Sequence, residues 1–321
     1  MEKSVKIAVL DATPLDADRD LDWTPLREIG DLTLHAQTPA SETIARLAEV
    51  TAAYTNKVRL GEAEFAASPS LKFVSTLSTG FDIVDIAAAR AHGVTVCNVP
   101  GYSTPSTAQT AIALLLELAN HVGDHAAKVR EGEWTRRGIW SWWNEGAVEL
   151  DGKTLVIVGM GAIGSRVAAV ASALGMNVIP AQIPGRSYPP DTDRVPLLDA
   201  LRHADAVSLH CPLTPETRHL MNEKRLALLK QGAFLINTGR GPLVDETAVA
   251  ASLTSGDLGG YAADVMSAEP PSADNPLITA PRAILTPHYA WTSRSARERM
   301  LTISVANLST FLSGTPQNVV S

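Results

Sequence analysis

The sequence predicts an α/β protein of two domains, each a parallel sheet flanked by helices. Three observations carry this reading. Strand-like and helix-like segments alternate over the first hundred residues, and a second alternating unit starts at Leu155. The chain has 321 residues, and a domain of ordinary size takes up about 150. Hydrophobic residues make up 45%, charged residues 19% and aromatics 5%, which excludes a disordered or collagen-like chain. Lys and Arg number 27 against 34 Asp and Glu, so the net charge of -7 speaks against nucleic acid or an anionic membrane as partner. No apolar run approaches the roughly 20 residues of a spanning helix. The start, Met1-Glu2-Lys3-Ser4, lacks the pattern of a secretory signal. The 2 cysteines, Cys97 and Cys211, make no disulfide framework and no metal-binding pair. A cytoplasmic protein without a structural metal is expected.

The elements follow in order. Val5–Leu10 reads as a buried strand. Ser41 caps a helix over 43–50, and Thr51–Thr55 is a short strand. Leu71–Leu77 is the next strand, followed by Ser78-Thr79-Gly80. Asp85–His92 is a helix stopped by Gly93, and Val94–Cys97 a strand. Pro105–Asn120 is a long helix, apolar on nearly every face and therefore buried. Residues 121–150 break the pattern and hold Trp134, Trp140, Trp142 and Trp143 among charges, in the manner of a contact surface or of ordinary core. From Leu155 the second unit runs as strand 155–158, glycine turn, helix 165–174 and strand 177–181. Later strands are 206–210, 233–237, 261–265 and 283–286, and 292–312 is a final helix.

Four segments carry chemistry. Gly159-Met160-Gly161-Ala162-Ile163-Gly164 follows an apolar strand and opens a helix, the context in which G-x-G-x-x-G binds a dinucleotide. Gly159 allows the tight turn, Gly161 the approach of a pyrophosphate, and Gly164 close helix–strand packing. The helix start, with Ala162 and Ile163, offers N–H groups to phosphate. The next strand lacks the expected terminal carboxylate and ends at Gln182, with Arg186 and Ser187 just beyond. A neutral residue removes repulsion of a 2′-phosphate, and an arginine pairs with one, so NADP is expected over NAD. Asn237-Thr238-Gly239-Arg240-Gly241, Asp264–Pro271 with Glu269, and Thr286-Pro287-His288 all stand at strand ends, where ligands bind in open α/β sheets. Together they suit one reaction. Arginine grips a substrate carboxylate, and histidine exchanges a proton with the neighbouring carbonyl. Glutamate orients the histidine and favours its protonated form.

These motifs, with Ser78-Thr79-Gly80-Phe81-Asp82, Val96–Pro105 and Leu209–Thr214, resemble the D-isomer-specific 2-hydroxyacid dehydrogenases over about residues 70 to 291. The resemblance implies a Rossmann dinucleotide-binding domain (102–291) inserted into a flavodoxin-like substrate domain (1–101 and 292–321), with the helices near 105–120 and 292–312 as hinges. It implies Arg240 as carboxylate anchor, His288 as general acid/base and Glu269 as its partner. Thr79 and Gly80 would give backbone N–H groups to the substrate carboxylate. Asp264 would lie near the nicotinamide carboxamide, and Cys211 and Pro212 along the adenine. Thr107, Thr217 and Thr238 join the cofactor contacts. The family is typically dimeric, and its dimerisation arm falls on residues 134–143. Gly101–Gln109 and Trp140-Ser141-Trp142-Trp143 look most like the glycerate dehydrogenase or hydroxypyruvate (glyoxylate) reductase group. The expected function is reduction of a small 2-oxo acid to the D-2-hydroxy acid. D-lactate-type and phosphoglycerate-type dehydrogenases, or a dinucleotide-responsive corepressor-like protein, are the alternatives.

Overall fold

A computed structural model describes residues 5–321. In chain order the elements are β1 (Val5–Val9), α1 (Thr24–Ile29), β2 (Gly30–Leu34), α2 (Thr43–Leu47), β3 (Ala52–Thr55), α3 (Glu62–Ala67), β4 (Phe73–Thr76), α4 (Ile86–Ala91) and β5 (Thr95–Cys97). Then come α5 (Thr104–Asn120), α6 (Val122–Arg130), α7 (Glu133–Arg137), β6 (Thr154–Val158), α8 (Ala162–Ala173), β7 (Asn177–Ala181), α9 (Leu197–Arg202) and β8 (Ala206–Leu209). The chain closes with α10 (Glu223–Leu226), β9 (Ala233–Asn237), α11 (Glu246–Ser255), β10 (Leu258–Ala263), β11 (Ala283–Leu285) and α12 (Arg294–Leu312). By contacts it forms two compact units. One takes in the described residues up to Ser103 with Trp291–Ser321; the other is Thr104–Ala290.

The first unit holds a five-stranded parallel sheet in the order β2-β1-β3-β4-β5. The order reverses between β1 and β3, as in flavodoxin-like sheets. Both faces are covered, which is why every residue of β3 and β4 is buried rather than every second one. Ile7, Val9, Tyr54 and Phe73 pack with α12 residues Met300 and Leu308 on one face. Ala8, Ala53, Val74 and Val96 pack with Phe65 and Ala89 on the other. Buried Arg297 of α12 pins the loop after β1 by reaching Asp18 and Asp20.

The second unit holds a six-stranded parallel sheet in the order β11-β10-β9-β8-β6-β7. Its core lies on both faces. Val156, Val207, Leu235 and Tyr261 point to one side. Leu155, Ile157 and Ile236 point to the other, where they meet Ala111, Leu115 and Leu118 of α5. The all-round apolar character of α5 thus has a physical cause inside its own unit, in packing on α8, β9 and β10. Among the described residues, no helix is long and apolar enough to cross a membrane.

Three expected elements differ. Ser41 does not cap a helix: it lies in a 3-10 turn over Ala40–Glu42, and α2 ends early at Leu47. The helix after the glycine turn begins at Ala162 rather than at Ser165, because Gly161 is already its N-cap. Residues 121–150 are not wholly irregular, since α6 and α7 lie there. Neither helix has a buried residue, so no apolar periodicity marks it in the sequence.

Candidate active site

The dinucleotide turn sits between β6 and α8, next to β8. Gly159 has φ +109°, and a Cβ there would stand 2.5 Å from the carbonyl carbon of His210 and 2.6 Å from the Cys211 nitrogen. No other residue fits this turn against the end of β8. A Cβ on Gly164 would meet the Gly159 oxygen at 2.0 Å, so the helix lies directly on the turn. Gly161 differs: nothing stands within 4 Å of its Cβ position, and Gly161 and Ala162 are exposed. The turn is tight where protein meets protein and open at the helix N-terminus. Half-buried Ile163 packs on the core behind it.

At the end of β7, Gln182 is half-buried and donates from Nε2 to the Arg194 carbonyl at 3.3 Å. Arg186 and Ser187 are exposed, and Arg186 forms no ion pair among the described residues. A contact that no motif announced lies beside them. Arg194 stacks over the Tyr188 ring at 5.5 Å, and the Tyr188 hydroxyl accepts from the Ile183 N–H at 3.0 Å. These contacts close the loop on itself, an outcome of loop packing that no spacing encodes.

Several expected contacts take particular forms. Thr238 at the end of β9 is buried, and its Oγ1 has no hydrogen-bond partner in the structure. Such an orphaned hydroxyl calls for an acceptor from outside the protein. Cys211 is a core residue, with burial pushing its thiol up to about 11; Pro212 beside it is exposed. Thr217 is fully buried. Its hydroxyl donates to the Pro212 carbonyl at 2.8 Å and accepts from the Thr214 N–H at 2.7 Å. It therefore shapes the turn behind Pro212 and has no proton left to offer a phosphate. Thr107 is buried on α5.

The three chemical residues stand beyond neighbouring strands. Arg240 follows β9, Glu269 follows β10 and His288 follows β11, and these strands are adjacent and parallel. Arg240 is exposed, with Nη1 on the Gly239 carbonyl at 2.9 Å. Asn237 braces its turn by donating to the Arg240 carbonyl at 2.9 Å and accepting from the Gly239 N–H at 3.1 Å. His288 Nδ1 and Glu269 Oε2 are 2.6 Å apart, and the two side chains are 30% and 31% exposed. An acceptor-only carboxylate at this distance takes a hydrogen bond from Nδ1–H and so sets the tautomer of the ring.

His288 has φ +53°, a left-handed backbone that a non-glycine residue holds only when its surroundings impose it. Asp264 imposes it. Its carboxylate is 1% exposed and accepts from Thr286 Oγ1 at 2.6 Å, Tyr289 N at 3.0 Å and Ala290 N at 2.8 Å. Burial raises its carboxyl above the ordinary value, against the pull of these donors. In the first unit, the Thr79 hydroxyl donates to the Val99 carbonyl at 2.9 Å and Asn98 donates to the Thr79 carbonyl at 2.8 Å. These bonds fix the Thr79-Gly80 turn. A cavity of about 860 Å³ in that unit, bordered by Asp11, Thr38, Lys57 and Asp82, contains none of the predicted site residues.

Comparison with known proteins gives the family. The profile of the D-isomer specific 2-hydroxyacid dehydrogenase, NAD binding domain, matches residues 112–290. The chain belongs to this family. It is 39% identical over 323 residues to a hydroxypyruvate reductase of Blautia hydrogenotrophica, covering 99% of this chain and 100% of the relative. A glycerate dehydrogenase of Methylorubrum extorquens is 37% identical over 281 residues, 87% of this chain and 88% of the relative. Among solved structures, an acyclic imino acid reductase (Bsp5) in complex with NADPH and D-Arg superposes with a TM-score of 0.84 at 28% identity. It covers 99% of this chain and 100% of that one. The site therefore belongs to an oxidoreductase that uses a nicotinamide dinucleotide.

Proposed function

We propose that the chain reduces small 2-oxo acids, hydroxypyruvate and glyoxylate foremost, to the D-2-hydroxy acids, with NADPH preferred over NADH. The observation that carries the reading is the His288–Glu269 pair at 2.6 Å, on the strand edge that also bears Arg240. The hydroxypyruvate reductase and glycerate dehydrogenase among the relatives support the substrate class.

The residues present fit the dinucleotide: Gly161 leaves open space at the start of α8, and Thr238 Oγ1 lacks an acceptor. Gly161, Ala162 and Ile163 would hold the pyrophosphate and Thr238 a neighbouring oxygen. A nicotinamide held there would supply the hydride that the 2-oxo carbon needs. Arg240 grips the substrate carboxylate with a planar fork and draws electron density from the adjacent carbonyl. His288 donates the Nε2 proton to the carbonyl oxygen as it becomes a hydroxyl, and Glu269 orients the ring. Asp264 holds the backbone on which His288 stands.

The preference for NADPH rests on Gln182 in place of a carboxylate and on exposed Arg186. The exposed tryptophans Trp140 (92%) and Trp143 (65%) support a homodimer through the segment that follows α7. We assign the working protein to the cytoplasm. The test is oxidation of NADPH and NADH, followed by absorbance, with hydroxypyruvate, glyoxylate and pyruvate in parallel. Turnover is expected with the first two and NADPH. No oxidation with any of them would leave a dinucleotide-responsive binding protein.

A further inference from the structure

We infer that Glu246, on the first turn of α11, is a positioning residue that sets the Glu269–His288 pair. The inference rests on the reductase reading of that pair. The N-terminal cap of α11 is made by its neighbour Asp245, whose side chain accepts from the N–H groups of Thr247 and Ala248. Glu246 is therefore not needed as a cap, and it reaches elsewhere. One carboxylate oxygen accepts from the Ser267 N–H at 2.7 Å and the other from Asn275 Nδ2 at 2.7 Å.

Those two contacts span the turn that carries Glu269. Every residue from Ser267 to Pro276 is exposed except Asn275, so apolar burial does little to hold this stretch. Immediately before Ser267, the Met266 N–H donates to Glu269 Oε1 at 3.2 Å, while Glu269 Oε2 meets His288. The peptide that aims Glu269 is thus adjacent to the N–H that Glu246 grips. A second contact lies beside it. A Cβ on Gly241 would stand 2.0 Å from the Met266 carbonyl carbon and 2.3 Å from the Ser267 nitrogen, so the segment after Arg240 presses on the same peptide. Arg240, Gly241 and Glu246 come from one continuous stretch. That stretch fixes the carboxylate anchor and the acid–base pair relative to each other.

The test places Glu246→Ala and Glu246→Gln in the wild type and in a Glu269→Gln background. Misaligning a catalytic group from a distance costs about 10- to 100-fold in rate. Glu246→Ala is expected to lower kcat by that factor, with substrate KM and NAD(P)H affinity changed by less than about threefold. In the Glu269→Gln background the same change should cost less than about twofold, because the group it acts through is already disabled. Glu246→Gln keeps an oxygen for the Ser267 N–H and should recover most of the rate. It also serves if the alanine variant does not fold. The ring ¹⁵N resonances of His288 give a readout independent of turnover: Glu246→Ala should move them in the same direction as Glu269→Gln does. Equal losses in both backgrounds, or unmoved His288 resonances in a folded variant, would overturn the inference. A wild type that reduces no 2-oxo acid, yet shows the resonance shift, would instead count against the reductase reading alone.

Discussion

Replacing Asp264 by asparagine separates geometry from charge at the centre of the site. Oδ1 of Asp264 takes Thr286 Oγ1 and Tyr289 N, and Oδ2 takes Ala290 N. The amide keeps one oxygen for the first two donors but turns an NH₂ group toward the Ala290 N–H. Ala290 is 4% exposed, so two donors then face each other without water. A buried donor left unsatisfied costs about 1–3 kcal/mol. For a unit the size of Thr104–Ala290 this corresponds to a fall in Tm of roughly 2–12 °C. His288, held at φ +53° beside the lost bond, relaxes its backbone, so kcat should fall more than KM rises. The pH dependence has a definite sign. Burial raises the folded carboxyl above its ordinary value in the unfolded chain, so the ionised group costs stability at neutral pH. Protonation relieves that cost as pH falls through the folded value. The wild type therefore gains on the asparagine variant, and the Tm gap widens toward acid. Thermal melts of both proteins from neutral pH down to about 4 measure it. A variant with unchanged Tm and kcat, or a gap that stays constant with pH, would refute the reasoning.

His288→Ala should lower kcat by about 10²–10⁴-fold with cofactor binding, followed by fluorescence, intact; near-full kcat would remove His288 from the proton transfer. Arg240→Lys keeps the charge and loses the fork, so substrate KM should rise steeply while NADPH affinity holds. A matching loss of NADPH affinity would place Arg240 on the cofactor instead. Arg186→Ala should cut the NADPH-over-NADH ratio of kcat/KM by about 10- to 100-fold, the worth of one charge-assisted contact. Gln182→Asp should push the ratio the same way, and equal use of both cofactors by the wild type would contradict both expectations.

What the sequence disclosed follows from how locally each feature is encoded. The apolar strand Thr154–Val158, the glycines after it and the helix they open are contiguous, so the dinucleotide turn was legible from composition and order alone. Arg240, Glu269 and His288 were legible because each follows a buried strand and parallel strands end on one edge. Exposed helices such as α6 left no trace, because nothing on them is buried. The grip of Asp264 on Tyr289 and Ala290, and that of Glu246 on Ser267, joins residues more than 20 positions apart through loop packing. No periodicity or motif spacing records such bonds. The same holds for Thr217, whose hydroxyl accepts from the Thr214 N–H and donates to the Pro212 carbonyl.

In the proposed reaction a hydride passes from a nicotinamide to the 2-oxo carbon of a small acid while His288 protonates the oxygen. The most direct measurement uses NADPH deuterated at the transferring position, hydroxypyruvate, and chiral analysis of the glycerate formed. The expected product is D-glycerate with deuterium at C2, and no such product from His288→Ala on the same time scale. Unlabelled product, the L isomer, or a His288→Ala enzyme that forms labelled D-glycerate at the wild-type rate would contradict it.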